Sequence, residues 1–216
     1  MYDDVQRTTA PLSPRSRLVR VGSSYLLVAF GVAALIQAGL GVAPFDVLNT
    51  GVAELLGIAV GLAFLINATI AYAIGAALGG KLGWASLVGT IVISPLLEVF
   101  LHVLPAPDLL ALRVPMFVVG VAVLTAAICL VISTEMGPGP TEVVMLGMVT
   151  RGVRVARARW IIDGLALIVG IALGGAAGAG TVVIALALGP LVAFGLRMLR
   201  YTPPGAPTPV AVAVLA

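Results

Sequence analysis

The run Gly39-Leu40-Gly41-Val42-Ala43-Pro44-Phe45-Asp46 and its later counterpart Gly137-Pro138-Gly139-Pro140-Thr141-Glu142 decide the fold of this 216-residue chain. Each follows a long apolar stretch. Glycine lets the backbone reverse sharply, and proline then suits the first position of a new helix, where its missing N–H has no partner to lose. Each motif is therefore a helix broken and restarted, with an acid, Asp46 or Glu142, two positions after the proline.

Outward from these motifs the match continues. Gly41 to Val47 aligns with Gly137 to Val143 and Gly51 with Gly147, at an offset of 96. After one deleted residue the offset is 95: Gly57-Ile58 meets Gly152-Val153, Leu78-Gly79-Gly80 meets Leu173-Gly174-Gly175, Gly83 meets Gly178 and Pro95 meets Pro190. Apolar composition alone does not produce a register shared by spans, loops and helix breakers, so the chain is a duplication.

The apolar stretches between the breakers set the architecture. A hydrocarbon core about 30 Å thick needs about 20 helical residues. Stretches 22–40, 58–79, 84–104, 114–134, 160–175 and 179–198 meet or approach that length. They must be helices, because open sheet edges leave backbone groups unsatisfied in lipid. The expectation is an all-α polytopic membrane bundle of about six transmembrane helices, arranged as two three-helix repeats. Three is odd, so consecutive copies enter the membrane from opposite sides and form inverted repeats. The competing count makes 45–56 and 141–150 spans as well, giving four per half and a parallel repeat. Those segments are short and carry Asp46, Asn49, Thr50 and Glu54, or Thr141, Glu142 and Thr150. They read better as short re-entrant or interfacial helices. The chain divides into a polar tail (1–21), a first membrane repeat (22–104), a connecting loop (105–113), a second repeat (114–199) and a Pro-rich tail (200–216).

Composition agrees: 61% of residues are hydrophobic, 10% are charged, and mean hydropathy is +1.18. A soluble domain carries roughly 25% charge, so a water-soluble enzyme or a nucleic-acid reader is excluded. The 12 basic against 9 acidic residues, net +3, report orientation more than partners. Arg7, Arg15, Arg17 and Arg20, Lys81, the cluster Arg151, Arg154, Arg157 and Arg159, then Arg197 and Arg200 fall on one side of a six-span layout, and Arg113 on the other. Both termini are then cytoplasmic. The first run is too long for a signal-peptide core and lacks a convincing cleavage site, so it is a retained span. Cys129, alone, makes no internal disulfide.

The candidate site for a substrate or ion comprises Gly41, Pro44, Asp46, Gly137, Gly139, Pro140, Glu142 and Asp163. Restarted helices offer backbone amides to an anion or frame a polar cavity, while the two acids suit a cation or a proton. The plainer alternative is that each acid complements its own helix N-terminus, by about 0.3–1 kcal/mol. Asp163 either pairs with Arg159 four residues earlier or faces the bundle interior. Glu98 and His102 share a helix face and form either a proton relay or an interfacial hydrogen bond. Pro95 and Pro190 are hinges or static kinks. Gly75-x-x-x-Gly79 and Gly170-x-x-x-Gly174 suit close helix packing. There is no HExxH or GxSxG sequence, and one His and one Cys leave little for metal or thiol catalysis. No enzymatic activity, catalytic residue, metal or cofactor is expected.

With these motifs in place, the chain resembles the YczE-like bacterial integral membrane proteins of the YczE/YyaS/YitT group. The resemblance rests on the paired Gly- and Pro-containing motifs, Gly79-Gly80, Gly174-Gly175 and Gly189-Pro190, and covers about residues 22–199. In that family the first motif usually ends in Trp-Asp and the second carries Asp; here they are Phe45-Asp46 and Thr141-Glu142, which keeps the carboxylates. The resemblance implies a multi-pass protein of the bacterial cell membrane without an assigned reaction or cofactor. The expected function is a small-solute transporter or permease-like protein with its site between the two repeats. The alternative is a non-transporting interaction or scaffold protein. The partners expected are the lipid bilayer and a small solute or ion, with no nucleic acid, and a homo-oligomer is compatible with this layout.

Overall fold

The structure, a computed structural model, describes residues 13–199. Most of the polar tail and the whole Pro-rich tail lie outside the described residues. Eight helices follow in order: α1 Pro14–Ala38, α2 Pro44–Leu56, α3 Val60–Ala77, α4 Trp84–Val103, α5 Leu110–Thr134, α6 Pro140–Thr150, α7 Val155–Ala172 and α8 Ala179–Met198. The two Gly-Pro motifs do restart the chain: Pro44 and Pro140 open α2 and α6. Three helix starts differ from the sequence expectation, one of them α7, which begins at Val155 rather than 160 because its first turns carry Arg157 and Arg159. α1 begins at Pro14 rather than 22, because the Ser13 side chain accepts a hydrogen bond from the Ser16 N–H (3.2 Å) and Pro14 pre-sets the first turn. α5 begins at Leu110, inside the expected connecting loop.

Side-chain contacts fix the direction of each long helix. α1 and α5 pack most extensively and run antiparallel. Arg20, early in α1, donates to Ser133 near the end of α5 (3.2 Å), Gly31 lies against Leu124, and Gly120 lies against Leu35. At the other end, Arg113 Nε donates to the Ala38 carbonyl (2.6 Å) and the guanidinium also reaches the Gly39 carbonyl, closing the end of α1. α4 runs parallel to α1: Tyr25 donates to the Ala85 carbonyl (2.6 Å), while Gln37 donates to those of Leu101 and Leu104. α3 runs against α4, since Gly61 meets Ser94 and Tyr72 donates to the Ser86 carbonyl (3.1 Å). α8 is parallel to α5, with Phe117 beside Gly180 and Cys129 beside Gly195. The path thus goes forward in α1, back in α3 and forward in α4, so α2 adds no reversal. Four crossings in that half would have set α4 against α1.

The short helices knit the halves together. α2 lies on α7, where Val47 and Gly51 face Gly170 and Gly175; α6 lies on α3, where Val143 and Gly147 face Gly75 and Gly80. A Cβ on Gly170 would sit 2.6 Å from the Leu48 nitrogen, so the small-residue spacing serves backbone-to-backbone packing. Pro95 and Pro190 lie at matching places inside α4 and α8.

Among the described residues five helices, α1, α3, α4, α5 and α8, are long and apolar enough to cross a membrane. α7 has similar length but carries Arg157, Arg159 and Asp163. The core is built on Ala29, Ala33, Leu35, Val42, Val47 and Leu97, whereas Ile91, Leu165, Ile168, Leu186 and Phe194 stand exposed. An exposed apolar surface of that breadth needs lipid rather than water. The protein is membrane-embedded.

Candidate functional site

Asp46 is the third residue of α2, after Ala43 at the cap and Pro44 at the first position. It is 8% exposed. Asn49, one turn on, donates its amide to Asp46 Oδ1 (3.2 Å), and Asn67 at the middle of α3 donates to Asn49 Oδ1 (2.9 Å). Thr50 donates to the Asp46 carbonyl (2.9 Å) and accepts from the Ala176 N–H (2.9 Å), tying this turn to the segment after α7. Phe45 meets Phe64 edge to face, with ring centres 6.3 Å apart, beside the same turn. The α2–α3 cluster is thus a carboxyl in a nearly closed site whose hydrogen-bonding neighbour is a neutral amide. Burial raises the Asp46 carboxyl to about 6, and the Asn49 hydrogen bond opposes part of that rise.

Glu142 holds the same position in α6, third after the Gly139 cap and Pro140. Its surroundings are ionic. Arg159 Nη1 lies 3.0 Å from Glu142 Oε1, while Arg159 Nε lies 2.7 Å from Asp163 Oδ2. Thr141 donates to the other Glu142 oxygen (3.2 Å). The planar guanidinium bridges two carboxylates on two helices, a geometry that a lysine does not reproduce. These side chains are more open than those around Asp46: Glu142 is 39% exposed, Arg159 40% and Asp163 27%.

The two clusters correspond. Each has an acid at the third position of a short helix and a second polar group near the middle of the following long helix. Asn67 and Asp163 play that second part, one residue out of register in the repeat. The clusters are separate networks, so Asp46 and Glu142 are not brought together as one carboxylate pair. Asp163 does pair with Arg159, and the same guanidinium reaches Glu142.

The remaining candidates act through the backbone. Gly41, at φ 116°, presses against Gly178 and Thr181 at the start of α8, where the Gly180 N–H donates to the Leu40 carbonyl (2.7 Å). Gly137 lies against Ser86, whose hydroxyl donates to the Pro138 carbonyl (2.6 Å). Glu98 and His102 do not form a relay. Glu98 accepts from the Gly61 N–H (2.5 Å), and His102 Nδ1 bonds the Glu98 backbone carbonyl (2.8 Å). Asn49 lies outside the site residues the sequence singles out, although its spacing three residues after Asp46 is a usable signal. Arg159 entered only as a partner of Asp163; its reach to α6 is a tertiary contact with no local signature.

A bundle of apolar helices with two matched polar clusters defines a polytopic, membrane-embedded helical protein. Within that class the chain belongs to a family of unknown function, DUF6198, whose model matches residues 16–197 and so takes in both halves and both clusters. It is 26% identical over 180 residues to an uncharacterized protein of Haemophilus influenzae, covering 82% of each chain. No solved structure matches it.

Proposed function

We propose that the chain is a small-solute transporter or permease-like protein of YczE-like type, with α7 as a sixth span and two inverted repeats. The observation that carries this reading is the pair of corresponding polar clusters, one buried and one partly exposed, in an otherwise apolar bundle. Intramembrane ionisable groups are expensive and mark pathways for solutes or ions. The antiparallel α1 and α5, each opening one half, support repeats related by an axis in the membrane plane. Orientation follows from charge. Arg20, Lys81, Arg151 and Arg197 gather at the end of the bundle where α1 starts, helped by the Arg151 bond to the Ala77 carbonyl (2.8 Å), while Arg113 sits at the opposite end. The positive-inside rule puts the first end in the cytoplasm of a bacterial cell. The Asp46 and Glu142 clusters are the binding region, lipid is the surrounding partner, and no catalytic step is assigned.

Reconstituted protein in vesicles tests this with a panel of small solutes. Uptake or counterflow that falls at least tenfold in Asp46→Asn and in Glu142→Gln is the expected result. Correctly inserted protein that moves no solute and co-purifies with a stable partner would instead make it an interaction protein.

A further inference from the structure

The two acids occupy equivalent positions but have opposite partners. Glu142 faces a guanidinium that also holds Asp163, so its negative charge is matched. Asp46 faces an amide, and that amide is itself fixed by Asn67. The helices packed on α2 are α3 and α7. Tyr72 is the only ionisable side chain of α3, and its hydroxyl is spent on the Ser86 carbonyl. On α7, the stretch that meets α2 has no ionisable side chain from Gly164 to Ala172, and Arg159 is bound to both Asp163 and Glu142. On α2 itself Glu54 lies at the exposed far end. A bare carboxylate in this site has no cation to offset its lost hydration.

We infer that Asp46 is a proton-binding site: in the closed α2–α3 cluster it is the carboxylic acid, and on opening to water it releases that proton to become the carboxylate. Glu142, paired with Arg159, is the fixed charge of the other half. The ligand is a proton rather than a metal cation because Asn49 presents N–H to Asp46 and keeps its oxygen turned to Asn67. A bound cation would require that oxygen to face inward. Coupling of the proton to solute movement rests on the transport reading; proton binding itself does not.

Infrared titration of the full chain in phosphatidylcholine–phosphatidylglycerol nanodiscs reads protonated carboxyls directly. The wild type should show a carboxylic-acid carbonyl band that disappears as pH rises, with a midpoint at least one unit above the ordinary aspartate value of about 3.9. Asp46→Asn should abolish that band and Glu142→Gln should keep it. A band that survives Asp46→Asn, or an Asp46 ionised throughout the range, overturns the assignment. If Asp46→Asn does not fold, the wild type still decides: its melting temperature should fall between about pH 5 and about pH 8. Rescue of that loss by sodium alone would overturn the proton assignment. A titrating Asp46 in a protein that moves no solute would defeat the transport reading and leave this one intact. Solute flux that ignores the pH gradient, with Asp46 ionised, would do the reverse.

Discussion

The Arg159 guanidinium lies 3.0 Å from the Glu142 carboxylate and fastens α7 to α6. Because the same group holds Asp163 at 2.7 Å, its removal leaves two carboxylates facing one another without a cation, whereas loss of Glu142 leaves Arg159 with Asp163. Arg159→Gln should therefore destabilise the protein more than Glu142→Gln. The pair is about two-fifths exposed, so the coupling is that of a screened ion pair, about 0.5–1 kcal/mol. A double-mutant cycle on thermal unfolding in detergent measures it. A coupling indistinguishable from zero would mean that the bridge adds nothing to the α6–α7 contact.

Asp46 gives stability an opposite dependence on pH from the usual surface carboxylate. Its folded value, about 6, lies above the unfolded value of about 3.9. Its contribution is therefore complete below about pH 4 and is lost as pH rises through about 6. The full loss, about two units at about 1.4 kcal/mol each, is on the order of 3 kcal/mol. Asp46→Asn keeps the shape and removes the titration, so its stability should change less between about pH 5 and about pH 8 than that of the wild type. Parallel melting curves at the two pH values make the comparison.

Legibility followed the range of the interaction involved. Gly57, Pro44, Pro140 and Gly178 act within one turn, and α2, α6 and α8 begin or end where these residues indicate. The start of α1 was hidden because its first turns carry Arg15, Arg17 and Arg20. Arginine is a good helix former, so the helix runs past the apolar stretch that a search for spans detects. Of the candidate site, the acids were visible as the third residues of restarted helices, but their surroundings were not. Asn67 reaches Asn49 across eighteen residues and Arg159 reaches Glu142 across seventeen; only the way α2 and α6 lie on the long helices brings them together. Glu98 and His102 show the converse. They share a helix face, yet the open N-terminus of α3 takes the carboxylate and a backbone carbonyl takes the imidazole.

Glycine packing allows a paired test of how the halves are joined. At Gly170 a Cβ would meet the Val47 carbonyl carbon and the Leu48 nitrogen at 2.6 Å, and backbone cannot turn aside. Gly170→Val should destabilise by about 1–3 kcal/mol or more and loosen α2 from α7. Gly164 lies on the same helix with open space around its Cβ position. Gly164→Ala should be neutral or stabilising by up to about 1 kcal/mol, from helix propensity alone. Monodispersity and melting temperature of the two purified variants give the readout; equal behaviour would remove the close α2–α7 approach.

The loops after α2 and α6 separate three crossings per half from four. If α2 and α6 turn back without crossing, Gly57 and Gly152 lie on opposite sides of the membrane. If both helices cross, the two loops share the cytoplasmic side. Neither glycine has an atom within 4 Å of its Cβ position, so space permits substitution, although both have positive φ and some backbone strain is expected. In a Cys129→Ala background, Gly57→Cys should react with a membrane-impermeant maleimide added outside intact cells, and Gly152→Cys should react only after the membrane is opened. Protection of both until the membrane is opened would require α2 to cross, contrary to the parallel course of α1 and α4. It would also move Lys81 to the outer face, against the placement of the other basic residues.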